Sequence, residues 1–204
     1  MVDIITDSER AELEAAVKDA ETRTSAEIVL MVRKGATDYA SVETMAAAVA
    51  SLALPAVLLP FTQIPALIIW IAQLLLFAIL AAVLPMLAAG RFFVGKDRVS
   101  RDVKAAAQAE FFAHGLRRTT ARAAVLVFVS LREHRVEILP DDAAREAVEP
   151  KAWEELAARL SEKMAADRMT EGLKDTAHQL ADLLGPSLPR EPGSDDELPG
   201  VIVH

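Results

Sequence analysis

Cysteine is missing from the 204-residue chain. Without it there is no disulfide framework, no thiolate nucleophile and no cysteine-based zinc site, a composition compatible with the cytoplasm. Aromatic side chains make up 5% of the residues. The four histidines, His114, His134, His178 and His204, lack the short spacing of a paired metal-ligand motif. Glycine-rich phosphate loops are absent too. No G-x-S-x-G, Walker or G-x-G-x-x-G pattern occurs, which argues against hydrolase, nucleotidase and dinucleotide-binding readings. The N-terminal MVDIITDSER has no basic stretch leading into an apolar one, so no cleaved secretory signal is expected.

The most informative absence is local: residues 44–90 contain no charged side chain. A single helix of that length would run about 70 Å at 1.5 Å per residue, whereas a hydrocarbon core is about 30 Å thick. Two passes fit. The expected spans are residues 45–61 and 64–88, with PFTQIP at the tip, where Pro60 and Pro65 flank the turn and Thr62 and Gln63 supply its polar atoms. A buried core helix or re-entrant segment is the alternative for the first span, which is short and alanine-rich. Gln73 is the one strongly polar side chain in the second span and is expected to hydrogen-bond to the first helix or to a second subunit. With no intramembrane charge, a transport path is not indicated.

The net charge of −8 is unevenly distributed. Residues 1–43 carry 5 basic and 10 acidic side chains, residues 91–120 carry 7 and 3, and residues 121–204 carry 10 and 17. The acidic majority disfavours nucleic acid as a partner. The basic stretch directly follows the apolar block, as a segment near anionic headgroups would. Arg33 and Lys34 precede the first span; Arg91, Lys96, Arg98, Arg101 and Lys104 follow the second; the tip has neither Lys nor Arg. This asymmetry predicts an inner-membrane protein with two spans and both termini in the cytoplasm.

If both flanks share a compartment, they can form one domain. In residues 1–43, TDSE at 6–9 has the form of a capping box, and Leu13, Ala16, Val17 and Ala20 then share a helical face. Residues 28–32 form an apolar run suited to a strand covered on both sides. Glu27 at its mouth is expected to be solvated or ion-paired. In residues 91–185, a helix is expected over 98–114, with Val103, Ala107, Phe111 and His114 on one side. A buried strand follows at 123–131, then a break at Arg132, Glu133 and His134, then a hairpin partner at 135–139. Pro150 opens a helix with Trp153, Leu156, Ala157, Leu160 and Met164 on one face, and a last helix runs from Thr170, as its N-cap, to Gly185-Pro186. These elements predict an α/β fold, a small sheet with helices on both faces, interrupted after its first strand by a two-helix transmembrane hairpin. Residues 186–204, rich in proline, glycine and acidic side chains, read as a flexible tail. Its end at 201–203 has the composition to add to a sheet edge, but fraying is the expectation for a terminus.

The carboxylates Asp141 and Asp142 follow a predicted strand, where loops commonly carry sites. Adjacent carboxylates suit a hard cation such as calcium or magnesium, while capping of the helix AAREAV by Asp142 is the structural alternative.

The succession of a helix, RTSAEIVLMV, a helix ending FFAHGL, and TTARAAVLVFVSLREHRVEIL resembles the TPM-domain family over residues 5–185, and within it a bacterial membrane branch carrying two inserted spans. The resemblance implies an α/β fold with helices on both sides of a sheet and, in relatives, divalent-cation binding and, for a thylakoid-lumen member, a reported acid phosphatase activity linked to photosystem repair. Soluble relatives of that family continue after the equivalent of Arg135 to Ile138 with a glycine-rich G-x-G-L-E stretch and then an aspartate, where this chain reads LPDDAAREAV. Asp141 and Asp142 are what remains at that position. Two function classes follow: a non-enzymatic, membrane-anchored module that binds a membrane or cytoplasmic protein, with a second copy of the chain as a further candidate, or a metal-dependent phosphatase acting near the bilayer.

Overall fold

The computed structural model describes residues 5–37, 39–86, 94–116, 123–190 and 198–203. The chain divides into two compact units, one made of Met1–Ala36 with Ser100–His204, the other of Thr37–Val99.

The first unit begins with α1 (Asp7–Glu21), whose start is fixed by a reciprocal cap. The Thr6 hydroxyl accepts from Glu9 N–H at 3.3 Å, and Thr6 N–H donates to the Glu9 carboxylate at 2.9 Å. These bonds satisfy two amides that a helix start would otherwise leave open, and the Thr6 N–H, joined by the Thr6 and Thr170 hydroxyls, holds the Glu9 carboxyl below its ordinary pKa. Leu13, Ala16, Val17 and Ala20 form the buried face. Strand β1 (Glu27–Arg33) is buried at its first six positions, Glu27 included, so that residue is not the solvated one its position suggested. Beyond the second unit come most of α4 (Lys96–Ala113), β2 (Ala124–Ser130) and β3 (Arg135–Pro140).

β1 and β2 run parallel, from Glu27 opposite Ala124 to Arg33 opposite Ser130. Parallel neighbours need a long crossover, and the sequence between them supplies it. β2 and β3 are antiparallel, joined by a tight turn in which His134 takes a left-handed conformation with φ 49°. After β3 come α5 (Asp142–Ala147), α6 (Pro150–Ala165) and α7 (Met169–Leu184). The described residues thus form a mixed α/β fold of four strands and seven helices, with sheet order β3-β2-β1-β4.

Strand alternation sorts the core into two layers. Ile28, Leu30, Val32, Val125, Val127 and Val129 pack with Leu13 and Val17 of α1, Trp153 and Leu160 of α6, and Leu173 and Leu180 of α7. On the opposite face Val29, Met31, Leu126 and Phe128 are buried. There Arg33 donates to Glu110 of α4 at 2.9 Å, and Lys104 of α4 acts on Glu137 of β3. Burial raises the Glu137 pKa, with Lys104 and Arg135 pulling the other way. A carboxyl whose folded pKa is raised favours folding in its protonated form, so its charge costs stability as pH climbs from the unfolded value through the folded one. Glu137→Gln is therefore expected to raise the melting temperature at pH 7 and to leave it unchanged below pH 4, as thermal scans at the two pH values would show.

At the start of α7 and at the chain end the structure departs from the sequence expectation. Thr170 is not an N-cap: α7 starts at Met169, after Asp167 has turned left-handed at φ 56°, and the Thr170 hydroxyl instead donates to Glu9 at 3.0 Å, tying α7 to α1. The chain end does not fray either. Val201–Val203 forms β4, parallel to β1, because Val201 gains burial at 3% exposure against the core.

The second unit is a helical pair, α2 (Ala40–Phe61) and α3 (Ala66–Met86). At 22 and 21 residues they measure about 33 and 32 Å, and each is long and apolar enough to cross a membrane. Their turn is confined to residues 62–65. Pro60 lies in the final turn of α2 rather than outside it, and Thr62 closes that end by donating both its amide and its hydroxyl to Leu58 O at 2.9 and 2.8 Å. Gln73 Oε1 is buried without a hydrogen-bond partner among the described residues.

Candidate functional site

β3 ends where Pro140 pairs with Val125 and the next amide, Asp141 N–H, donates to Ala124 O at 2.8 Å. That bond keeps the chain on the sheet for one more residue and turns it into α5. Asp141 occupies the N-cap position without a side-chain cap bond, and Asp142 is the first helical residue, so the cap expected at Asp142 falls one residue earlier. Arg145 closes the corner. Its amide donates to Asp141 O at 2.8 Å and its guanidinium to Pro140 O at 3.1 Å.

The two candidate carboxylates differ in setting. Asp141 is buried at 4% exposure, whereas Asp142 faces solvent. Both line a cleft of about 280 Å³ whose other walls are Gln108, Phe111 and Phe112 of α4 and Leu139, Pro140 and Arg145. Among the described residues no group of three or more His, Asp or Glu side chains gathers as a metal would need. Calcium takes six to eight oxygen ligands and magnesium an octahedron. A helix start carries positive partial charge, and Arg145, also lining the cleft, adds a full one.

The cleft offers an apolar wall with one cation, one amide and two carboxylates at its rim. Sequence reasoning missed Arg145 and the two phenylalanines as its walls. Arg145 was findable, since it lies four residues after Asp141, one helical turn on. The phenylalanines were not, because their meeting with Leu139 depends on α4 crossing the sheet.

The histidines lie apart. His114 is 3.4 Å from Glu110, one turn earlier on α4. His178 on α7 meets Arg23 at 3.1 Å and Asp19 at 3.5 Å. His134 occupies the β2–β3 turn, and His204 is outside the described residues.

No family model and no curated protein matches the chain. Among solved structures it is similar to the NMR structure of the BA42 protein from the psychrophilic bacterium Bizionia argentinensis, with a TM-score of 0.63 and 16% identity. The match covers 100% of this chain and 98% of that one. What the two share is the fold. At this identity nothing about ligand or chemistry transfers, and the site must be argued from its own residues.

Proposed function

We propose that this is an integral inner-membrane protein in which the α2–α3 hairpin anchors a TPM-like α/β domain in the cytoplasm, where it binds a partner protein or maintains a membrane complex. The observation that carries the anchor is the distribution of exposed apolar side chains. All large ones among the described residues lie between Met45 and Met86, except Phe112 and Leu183. Leu67 is 71% exposed and Leu74 68%. Exposed apolar patches of this extent mark a membrane or protein interface. Buried helices of a soluble core hide such faces, whereas these two are 11% and 6% buried over their most apolar windows.

The orientation rests on the basic flanks and the uncharged tip. The binding role rests on a cleft with walls suited to recognition and on no metal-sized ligand group among the described residues.

Alkaline carbonate extraction of membranes, followed by detergent purification, tests both parts. The chain is expected to stay in the pellet and then to elute with a stoichiometric partner. Release into the carbonate supernatant would refute the anchor. Phosphate-ester hydrolysis abolished by the double change Asp141→Ala and Asp142→Ala would replace the binding role with the enzymatic one.

A further inference from the structure

α2 and α3 do not close on each other over their whole length. Among the described residues, Met45, Ala46, Val49 and Ala50 of α2 and Leu80 and Leu84 of α3 line a cleft of about 460 Å³, every wall of which is apolar. The buried stripe of α2 is Glu43, Ala47 and Ser51, spaced four apart. The cleft uses the adjacent stripe on the same helix. Two of its positions are alanine, and a methyl group there leaves the width that a longer side chain would fill. Met45 and Val49 are 63% and 64% exposed at its rim.

Position along the helix narrows the occupant. Val42 also lines the cleft, which therefore runs from the third residue of α2 to Ala50, about 12 Å at 1.5 Å per residue. A hydrocarbon core of about 30 Å gives each leaflet about 15 Å. The cleft thus has close to the depth of one leaflet, on the side where α2 begins and α3 ends. A spanning helix of a partner needs a face that continues to the tip, whereas an acyl chain needs only this length. An unfilled apolar cleft also forfeits the dispersion contacts of its walls, which a methylene chain restores.

Charge follows at the same end of the hairpin. Ten residues beyond the end of α3, Lys96 and Arg98 are exposed in the first turn of α4, with Asp97 between them. Val94 and Val99 on either side are buried, and the chain through Val99 belongs to the same compact unit as α2 and α3. Glu43 lies on the buried stripe rather than in the cleft. Two cations against one exposed anion favour a negative headgroup at the membrane surface.

We propose that this cleft is the seat of one anionic phospholipid of the cytoplasmic leaflet, with an acyl chain between α2 and α3 and its phosphate held by Lys96 and Arg98. The inference rests on the membrane-anchor reading and adds to it a bound lipid of stated charge and leaflet.

The test uses the full chain in detergent, with dioleoylphosphatidylglycerol and dioleoylphosphatidylcholine as probes and native mass spectrometry as the readout. The unaltered chain is expected to retain one phosphatidylglycerol, at least tenfold in preference to phosphatidylcholine. Ala46→Leu and Ala50→Leu, made singly, each fill the cleft and leave Ala47 and Ser51 in place; both are expected to lower retention of either lipid at least tenfold at unchanged circular dichroism. Lys96→Gln combined with Arg98→Gln is expected to abolish the preference between the two headgroups, and this surface change stays readable if a leucine variant fails to fold. Equal retention by the unaltered chain and the folded leucine variants, no headgroup preference in the unaltered chain, or binding of glycerol 3-phosphate as tightly as the lipid would overturn the inference. A dimer of the unaltered chain that Ala50→Leu abolishes would give the cleft to a second copy and overturn it too. Carbonate extraction of the same variants keeps the two readings separate, because retention in the pellet leaves the anchor standing when the lipid site fails.

Discussion

In intact cells with a permeable outer membrane, Gln63→Cys is expected to react fully with a membrane-impermeant maleimide, while Lys151→Cys reacts only after the inner membrane is opened. The native chain contains no cysteine, so each variant carries a single thiol and the readout has no background. Gln63 is exposed in the turn between α2 and α3, and Lys151 is exposed on α6. The expected contrast is close to all or none, because one thiol is assigned to the far side of the bilayer and the other to the cytoplasm. The assignment follows from helices of about 33 and 32 Å against a core of about 30 Å, and from a tip without Lys or Arg. The reverse pattern would invert the orientation. Equal labelling of both thiols in intact cells would refute a return across the membrane.

That return matters for the fold because β1 precedes the hairpin and β2 follows it. Seven register pairs join the two strands. A chain that crossed the membrane once would leave those strands on opposite sides, and β1 would lose both its pairing with β2 and the α6 and α7 side chains that share its core. The parallel pairing and the two-pass hairpin therefore support each other, one as local structure and the other as topology.

Much of this was legible in the residues. The capping box at Thr6 and Glu9, the apolar runs of β1 and β2, and the helical face of Trp153, Leu156, Leu160 and Met164 are local patterns with one dominant period. The end of the chain was not legible in the same way. Val201–Val203 is too short to show a period, follows a proline- and glycine-rich stretch, and becomes a strand only through Leu30, Met31 and Val32, far away in sequence. Thr170 misled for a related reason. Its hydroxyl meets Glu9 across the α1–α7 contact, a partner that no local rule names. At the candidate site the adjacent pair Asp141 and Asp142 was visible, but the split between a buried and an exposed carboxylate was not, since the turn into α5 decides it.

Phe128→Ala is expected to cost about 3–5 kcal/mol, the usual loss for truncating a buried aromatic side chain. Phe128 sits in the middle of β2 with no exposed surface, in register with Met31 of β1 and Glu137 of β3. It faces the layer opposite α1, α6 and α7, so the cavity would open on the side where Arg33 meets α4. A domain of this size is stable by about 5–15 kcal/mol, which makes the loss roughly a fifth or more of the whole. Phe112→Ala supplies the contrast. That ring is 63% exposed on α4, and its removal is expected to change stability by less than about 0.5 kcal/mol. Urea unfolding of the full chain in detergent, followed by far-ultraviolet circular dichroism, measures both. Equal costs at the two positions would mean that Phe128 does not pack as the strand alternation requires, and that α4 does not lie over that face of the sheet. A large loss at Phe128 alone would tie the stability of residues on both sides of the hairpin to one side chain, as a single domain built from two segments demands.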